Sequence, residues 1–239
     1  MKSKTYFDQY LSSGFARYNE GAGKNIRQHY RHNFLPFIPK DKTVKILDVG
    51  CGMGQCLEWL RAEGYTRIGG IEVSREGVDY CVKQGFEVSQ VEDTEKWLKT
   101  HADNFDIILL NDVIEHLPKD SIVPILAAMN TALTDGGRII IKTNNVSAIT
   151  GARMRYWDFT HTTSFTELSL EQALRFAGFT NFSMHAYRFP VNRLRRVIRK
   201  IMQLIVHAVW KLIYWIEFTI VPRIVHEFFF AVVEKQIKK

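Results

Sequence analysis

Short apolar runs alternate with helical stretches through the middle of the chain. The runs predict strands that begin near Val44, Thr66, Phe86, Phe105 and Arg138. Their apolar character is nearly continuous, which is typical of parallel strands covered on both faces. The stretches between them carry helical spacing and end at glycines. This pattern predicts an α/β fold with a doubly wound, mostly parallel sheet.

The last quarter of the chain changes character. TNFSMHAYRF, from Thr180, and HEFFFAVVEKQ, from His226, predict two more strands. Between them, polar residues recur every three or four positions in an otherwise apolar stretch, and they form one stripe: Arg193, Arg196, Lys200, Gln203, His207 and Lys211. We predict an amphipathic helical insertion over 191–222, placed before the last strand.

The net charge of +7 is concentrated in this last quarter. Residues 190–239 hold ten Lys/Arg and three Asp/Glu, so the preceding residues are balanced. A basic, apolar helix favours an anionic membrane surface as its partner over nucleic acid. A single transmembrane span would put the last two strands on opposite sides of the bilayer. We therefore expect a helix that lies at the interface, or a shallow re-entrant hairpin bent near Glu217 to Pro222. The alternative is packing against its own domain or a second subunit, as in a homodimer.

Cysteine usage and the first residues bear on location. The three cysteines are an odd number without metal-ligand spacing, which argues against a disulfide framework and for a reducing compartment. The first residues lack the apolar run of a signal peptide. We therefore expect a cytoplasmic protein, peripheral on the inner face of the cell membrane. The expected divisions are a helical cap over 1–40, a core over 41–190, the helical insertion over 191–222 and a final strand within 223–239.

A glycine-rich turn follows the first strand. In VKILDVGCGMG, Asp48 ends the strand, and Gly50, Cys51, Gly52 and Gly54 form a turn that lets a ligand approach bare backbone. A dinucleotide site would show the spacing G-x-G-x-x-G. The spacing G-x-G-x-G after an acidic residue instead suits a cationic ligand. The run resembles the first motif of class I S-adenosylmethionine-dependent methyltransferases, which implies a seven-stranded Rossmann-like sheet and S-adenosyl-L-methionine as cofactor.

Further residues match this family's cofactor site. Glu72 ends the second strand, beside Val73, and an acidic residue there can accept both ribose hydroxyls of an adenosine ligand. The resemblance implies that Asp93, with Thr94, lies near the adenine, although Asp93 also fits an ordinary helix N-cap. Asn111 matches the position that lines the methionine end.

Two stretches carry candidate catalytic residues. FDIILLNDVIEHLP resembles the family's fourth motif and places His116 beside the crevice, where it is a candidate catalytic residue or a structural histidine. The segment from Thr143 through Phe179, with the run DFTH before FTELSL and AGF, resembles bacterial methyltransferases of polysaccharide and lipopolysaccharide gene clusters. There we predict a loop holding Tyr156 and Trp157, with His161 as general base and Asp158 orienting its imidazole. The alternative is that His161 only braces the loop.

The resemblance implies methyl transfer to an oxygen of a glycan or glycolipid acceptor at the membrane. One alternative is an isoprenoid-quinone or other lipid O-methyltransferase, which would use the same membrane helix. Another is a membrane-bound scaffold subunit that keeps the fold without catalysis. No metal-ligand cluster is visible in the sequence; Asp112, Asp158 and His161 are the set that could hold Mg²⁺. We predict no metal site and no nucleic-acid partner.

Overall fold

The computed structural model describes residues 23–191 and 194–237. The elements, in chain order, are α1 (Gly23–Asn33), β1 (Lys45–Val49), α2 (Gln55–Ala62), β2 (Arg67–Glu72), α3 (Arg75–Lys83), β3 (Glu87–Gln90), α4 (Thr94–Lys99), β4 (Phe105–Asn111), α5 (Lys119–Ala132), β5 (Leu133–Asn144), α6 (Gly151–Trp157), α7 (Glu167–Phe176), β6 (Asn181–Ala186), α8 (Leu194–Phe218) and β7 (Phe228–Glu234). Two short 3-10 turns lie at Leu35–Phe37 and Ile114–His116. Of the predicted cap, residues 1–22 lie outside the described residues, as does Arg193 of the polar stripe.

The seven strands form one sheet in the order β3-β2-β1-β4-β5-β7-β6. The first five strands pair in parallel, and β7 runs antiparallel to both β5 and β6. The predicted α/β fold with its mixed seven-stranded sheet is confirmed. The strand order reverses between β1 and β4, and ligands of open α/β sheets bind in the crevice at such a point.

Helices cover both faces of the sheet. On β5, Ile139 and Ile141 face a core shared with α5 and α7, whereas Ile140 faces the opposite core. That second core contains Phe34, just after α1, and Trp59 of α2, which are each 1% exposed. Burial on both faces explains why the strands read as nearly continuous apolar runs.

Two boundaries differ from the sequence prediction. β5 begins at Leu133 rather than near Arg138, because Leu133 pairs with Phe105 ahead of an irregularity in the β4–β5 register. Tyr156 and Trp157 were predicted in a loop, but they end helix α6, and the loop starts at Asp158. The helical spacing of Gly151–Trp157 is too short to stand out in the sequence.

Helix α8 is a single helix of 25 residues immediately before β7. Its polar stripe faces the domain. The Trp210 Nε1–H donates to the Ser147 carbonyl at 2.9 Å, and Lys211 Nζ donates to the Arg223 carbonyl at 3.0 Å. The ring of His207 lies 4.6 Å from that of His226. The helix is therefore attached through its polar side.

The apolar face of α8 points away from the domain. It consists of fourteen large apolar residues, each between 41% and 75% exposed: Leu194, Val197, Ile198, Ile201, Met202, Leu204, Ile205, Val206, Val209, Leu212, Ile213, Trp215, Ile216 and Phe218. Among the described residues, α8 is the one helix long and apolar enough to span a membrane, with a mean hydropathy of 1.3. The exposed patches of ordinary monomers rarely exceed about 300–600 Å².

Candidate functional site

A cavity of about 980 Å³ opens at the carboxyl ends of the central strands. One end is lined by the glycine turn, the end of β2 and the start of α4. The other end, which we call the acceptor side, is lined by residues of α1, β5, α6 and β7 and of the loops after β4, α6 and β6: His29, Glu115, His116, Lys142, Asn144, Met154, Trp157, Asp158, His161, Phe189 and Phe228. The volume is at the upper limit of ligand pockets, about 300–1,000 Å³, and is consistent with two bound molecules.

The glycine turn presents bare backbone to this cavity. A Cβ built on Gly50, whose φ is +69°, would lie 2.6 Å from Val113 Cγ2. A Cβ on Gly52, whose φ is +52°, would meet no protein atom within 4 Å. Since Gly52 lines the cavity, a side chain there would project into space available to a ligand.

The carboxylate of Glu72 is fixed at the end of β2. Its two oxygens accept backbone N–H bonds from Gly52 and from Ser74, each at 2.8 Å. Each carboxylate oxygen has a second lone pair for a further donor. Glu72 lines the cavity, so those lone pairs are available to a ligand there. The predicted contact of Glu72 with the ribose hydroxyls stays a prediction.

Asp48 is 2% exposed at the end of β1. Burial, together with the charge of Glu72, raises the pKa of Asp48 to about 8. A cation in the cavity would favour the ionised form of Asp48 and lower this pKa.

Cys51, predicted among the cofactor-binding residues, lies in the wall of the same cavity. Its hydrogen bond with Cys81 and its burial raise the pKa of its thiol. The thiol therefore stays neutral, in agreement with a packing role. All three cysteines are free and buried.

The predicted adenine-side residues occupy the rim of β2 and β3. Asp93 caps α4, since its Oδ1 accepts the Lys96 N–H at 2.9 Å. Val73, Asp93 and Thr94 all line the cavity. The capping role of Asp93 is confirmed, and its contact with adenine stays a prediction.

Asn111 ends β4 and has an unused acceptor. Its amide nitrogen donates to Tyr30 Oη and to Asp112 Oδ2, each at 3.3 Å. Its Oδ1 is buried without a hydrogen-bond partner among the described residues. A ligand N–H in the cavity would satisfy this oxygen, which agrees with the predicted place at the methionine end.

The structure brings the three candidate catalytic residues together on the acceptor side. A ring nitrogen of each histidine and a carboxylate oxygen of Asp158 all lie within 4.8 Å of one another. The Thr160 hydroxyl donates to Asp158 Oδ1 at 2.6 Å and lies 2.8 Å from His116 Nδ1. His161 Nδ1 lies 3.0 Å from the Met154 carbonyl. Thr160 thus links Asp158 to His116, and the Met154 carbonyl is one contact of the His161 ring. The orienting role predicted for Asp158 stays a prediction.

The environment of His116 keeps it neutral. Burial, followed by the neighbouring His161, lowers the pKa of His116 to about 4. The two rings lie 4.7 Å apart at an angle of 60°.

Lys142, near the end of β5, lines the cavity and was not predicted from the sequence as a site residue. Its ammonium forms an ion pair with Asp112 and lies 4.5 Å from the Phe228 ring and 5.0 Å from the Tyr187 ring. Asp112 itself has a φ of +55°. A single lysine at the end of an apolar run was the available signal, because polar residues past a central strand face the crevice.

Glu115 is a second acidic group buried beside this site. It accepts the Thr143 hydroxyl at 3.0 Å and is 2% exposed. Burial, with Asp112 nearby, raises the pKa of Glu115 to about 8. The acceptor side therefore holds both basic and acidic groups.

Comparison with known proteins decides the family. Residues 22–184, well over half of the chain, match the methyltransferase domain family. The chain belongs to this family. A crystal structure of a SAM-dependent methyltransferase from Archaeoglobus fulgidus is 18% identical, with a TM-score of 0.71, and covers 92% of this chain and 98% of that one. The fold of the methyltransferase is therefore shared along almost its whole length.

Two other similar proteins bear on ligands. Phosphoethanolamine N-methyltransferase 2 of Haemonchus contortus, in complex with S-adenosyl-L-methionine, is 15% identical with a TM-score of 0.68, over 99% of this chain and 60% of that one. The ubiquinone biosynthesis O-methyltransferase of Salmonella newport is 32% identical over 105 residues. That match covers 42% of the methyltransferase and 43% of the relative, less than half of each. The predicted cofactor, S-adenosyl-L-methionine, is confirmed.

Proposed function

We propose that the protein transfers a methyl group from S-adenosylmethionine to a hydroxyl oxygen of a lipid-borne acceptor at a membrane surface. The observation that carries this proposal is the outward apolar face of α8 next to the acceptor side of the cavity. Trp210 of α8 bonds to Ser147, three residues after Asn144 of the cavity wall. Arg196 of α8 bonds to Pro190, next to Phe189 of the same wall.

The chemistry needs alignment and removal of one proton. The acceptor oxygen attacks the methyl carbon of the sulfonium in line with the breaking C–S bond, so the sulfonium becomes a neutral thioether. The hydroxyl proton leaves as the O–C bond forms, and we assign its removal to His161, as the sequence predicts. Asp48 and Asn111 hold the cationic methionine end, and Glu72 holds the ribose.

The membrane is the partner that suits the exposed surface of α8. The apolar face is turned outward, and Arg195 and Arg199 near its start are exposed for contact with anionic headgroups. At 1.5 Å per residue the helix is about 38 Å long, which provides extensive contact with lipid. The proposal therefore includes the location first expected from the sequence, peripheral on the inner face of the cell membrane, and the exposed apolar face of α8 supports the membrane contact.

Vesicle flotation tests the membrane contact. Full-length protein should float with vesicles of phosphatidylglycerol and phosphatidylethanolamine, whereas a variant with Leu204, Ile205, Leu212 and Ile213 changed to serine should stay at the bottom. Leu168→Ser/Phe176→Ser is the matched control, because these residues are 65% and 77% exposed on α7. Unchanged flotation of the α8 variant, or a stable dimer that buries α8 and ignores vesicles, would contradict the proposal.

Two classes of lipid-borne acceptor fit this proposal. The similarity to a ubiquinone biosynthesis O-methyltransferase favours a phenolic hydroxyl of the isoprenoid-quinone class. The acceptor first predicted, a sugar hydroxyl of a glycolipid or lipopolysaccharide, would use the same cavity and membrane helix. Mass spectrometry of lipid and glycan extracts from cells with and without the gene distinguishes the two acceptors. The fraction that contains the acceptor should hold a species that is 14 Da lighter when the gene is absent. A difference confined to water-soluble small molecules would refute both.

A further inference from the structure

We propose that His116, Asp158 and His161 form a binding site for one divalent transition-metal ion. Ligand atoms bonded to one ion at about 2.0–2.2 Å lie roughly 3–4 Å from each other. The three side chains are already within 4.8 Å. A movement of less than about 1 Å therefore completes the site. The sequence predicted no metal site: the set considered there, Asp112, Asp158 and His161 with Mg²⁺, did not include His116, which lies 45 positions before His161.

The hydrogen bonds around both imidazoles assign the tautomers that a metal needs. The Thr160 hydroxyl donates its hydrogen to the Asp158 carboxylate, so its oxygen accepts from the Nδ1–H of His116. His161 Nδ1 lies 3.0 Å from the Met154 carbonyl, which only accepts, so this nitrogen also carries the hydrogen. Both rings then have their lone pair on Nε2. Metal-binding histidines usually donate their other N–H to a carbonyl or carboxylate in this way.

The loop that carries two of the ligands is held in place without an ion. The Thr162 and Thr163 N–H groups both donate to the Glu115 carbonyl, at 2.9 Å and 3.1 Å. Arg155 bonds to the carbonyl of Thr162 at 2.9 Å and also to that of His161. Glu115 directly precedes His116. The backbone thus joins both parts of the site and preorganises it.

Two imidazoles and one carboxylate suit Zn²⁺, Mn²⁺, Fe²⁺ or Co²⁺ better than Mg²⁺, which prefers oxygen ligands. All three ligands line the cavity, so the remaining coordination positions face the acceptor. This part of the inference rests on the proposed function. An acceptor with a hydroxyl beside a second oxygen could chelate the ion, which would lower the pKa of that hydroxyl. Water could then take the proton, and His161 would act as a ligand instead of a base.

Cobalt titration of tag-free, EDTA-treated full-length protein tests the site. We expect one Co²⁺ per chain with visible d–d absorption, displaced by Zn²⁺. His161→Ala and Asp158→Ala should lose the absorption, and Thr160→Val should weaken Co²⁺ binding by about 10–100-fold through the supporting hydrogen bond. His101→Ala is the matched control, since His101 Nδ1 also faces a carbonyl, that of Trp97, but outside the cavity.

Calorimetry with S-adenosylmethionine on each variant shows whether the fold and cofactor site are intact. No d–d absorption in the wild type, or equal Co²⁺ binding by the ligand variants, would overturn the metal site. Cofactor binding and methyl transfer that persist in excess EDTA would overturn the role of the ion in binding the acceptor, while leaving the proposed function standing. Stoichiometric cobalt binding without methyl transfer to any lipid would support the metal site and count against the proposed function.

Discussion

Replacing Glu72 by alanine removes the anchor that we assign to the cofactor ribose. In the wild type, each oxygen of this carboxylate uses one lone pair on a backbone N–H, from Gly52 or from Ser74. The second lone pair on each oxygen is available to one ribose hydroxyl. The alanine variant therefore loses two ligand contacts and leaves two N–H groups facing the cavity.

The expected loss follows from these contacts. A hydrogen bond to a charged group contributes about 1.5–3 kcal/mol. Water can enter the space left by the side chain, so we take the lower value for each hydroxyl, which gives about 3 kcal/mol in total. Since each 1.4 kcal/mol corresponds to tenfold, the Kd for S-adenosylmethionine should rise by about 100-fold.

Isothermal titration calorimetry measures this change. Glu87→Ala is the matched control, because Glu87 is exposed on β3 and does not line the cavity. Glu72→Gln keeps one acceptor and should give an intermediate Kd. Thermal melting establishes that the variants are folded. A Kd for folded Glu72→Ala within about threefold of wild type would refute the ribose assignment.

Three other perturbations test separate parts of the site. Gly52→Ala should abolish cofactor binding in calorimetry with a stability loss of only about 1–2 kcal/mol, because its methyl group enters the cavity. Asp48→Asn should flatten the pH dependence of melting. The pKa of Asp48 is about 8 in the folded protein and about 4 in the unfolded chain, so the folded state holds the proton more tightly. This contribution to stability is complete below about pH 4 and is lost as the pH rises to 8. Lys142→Met should lower the melting temperature by about 2–8 °C, because Asp112, 41% exposed, loses its partner at about 1–2 kcal/mol. Adding Asp112→Asn should restore most of it. Wild-type binding, an unchanged pH slope or an unchanged melting temperature would contradict the respective assignment.

Local sequence determined most of the fold and of the cofactor end of the site. The apolar runs, the glycine turn and the acidic residue ending β2 lie in short continuous stretches, so periodicity and spacing were sufficient. The last strand could also be placed after α8, because β-forming residues resume at Phe228. The bare backbone at Gly52 and the fixed carboxylate of Glu72 agree with those expectations.

The acceptor side was harder to predict because its parts come together only through the tertiary fold. His116 precedes α5 and His161 follows α6, and nothing in their spacing indicates that their rings lie 4.7 Å apart. Periodicity identified the polar stripe of α8 without showing which side faces the domain. In the sequence, Lys142 only interrupts an apolar strand. The fold places its ammonium beside the rings of Tyr187 and Phe228, which come much later in the chain.

The most direct test of the account is methyl transfer itself. Purified protein is incubated with S-adenosylmethionine labelled in the methyl group and with membrane lipids extracted from cells that lack the gene. We predict that label enters a lipid-soluble product as an O-methyl group, and that the Glu72→Ala variant transfers far less at the same cofactor concentration. Cofactor binding without any labelled product in the lipid extract would contradict the account.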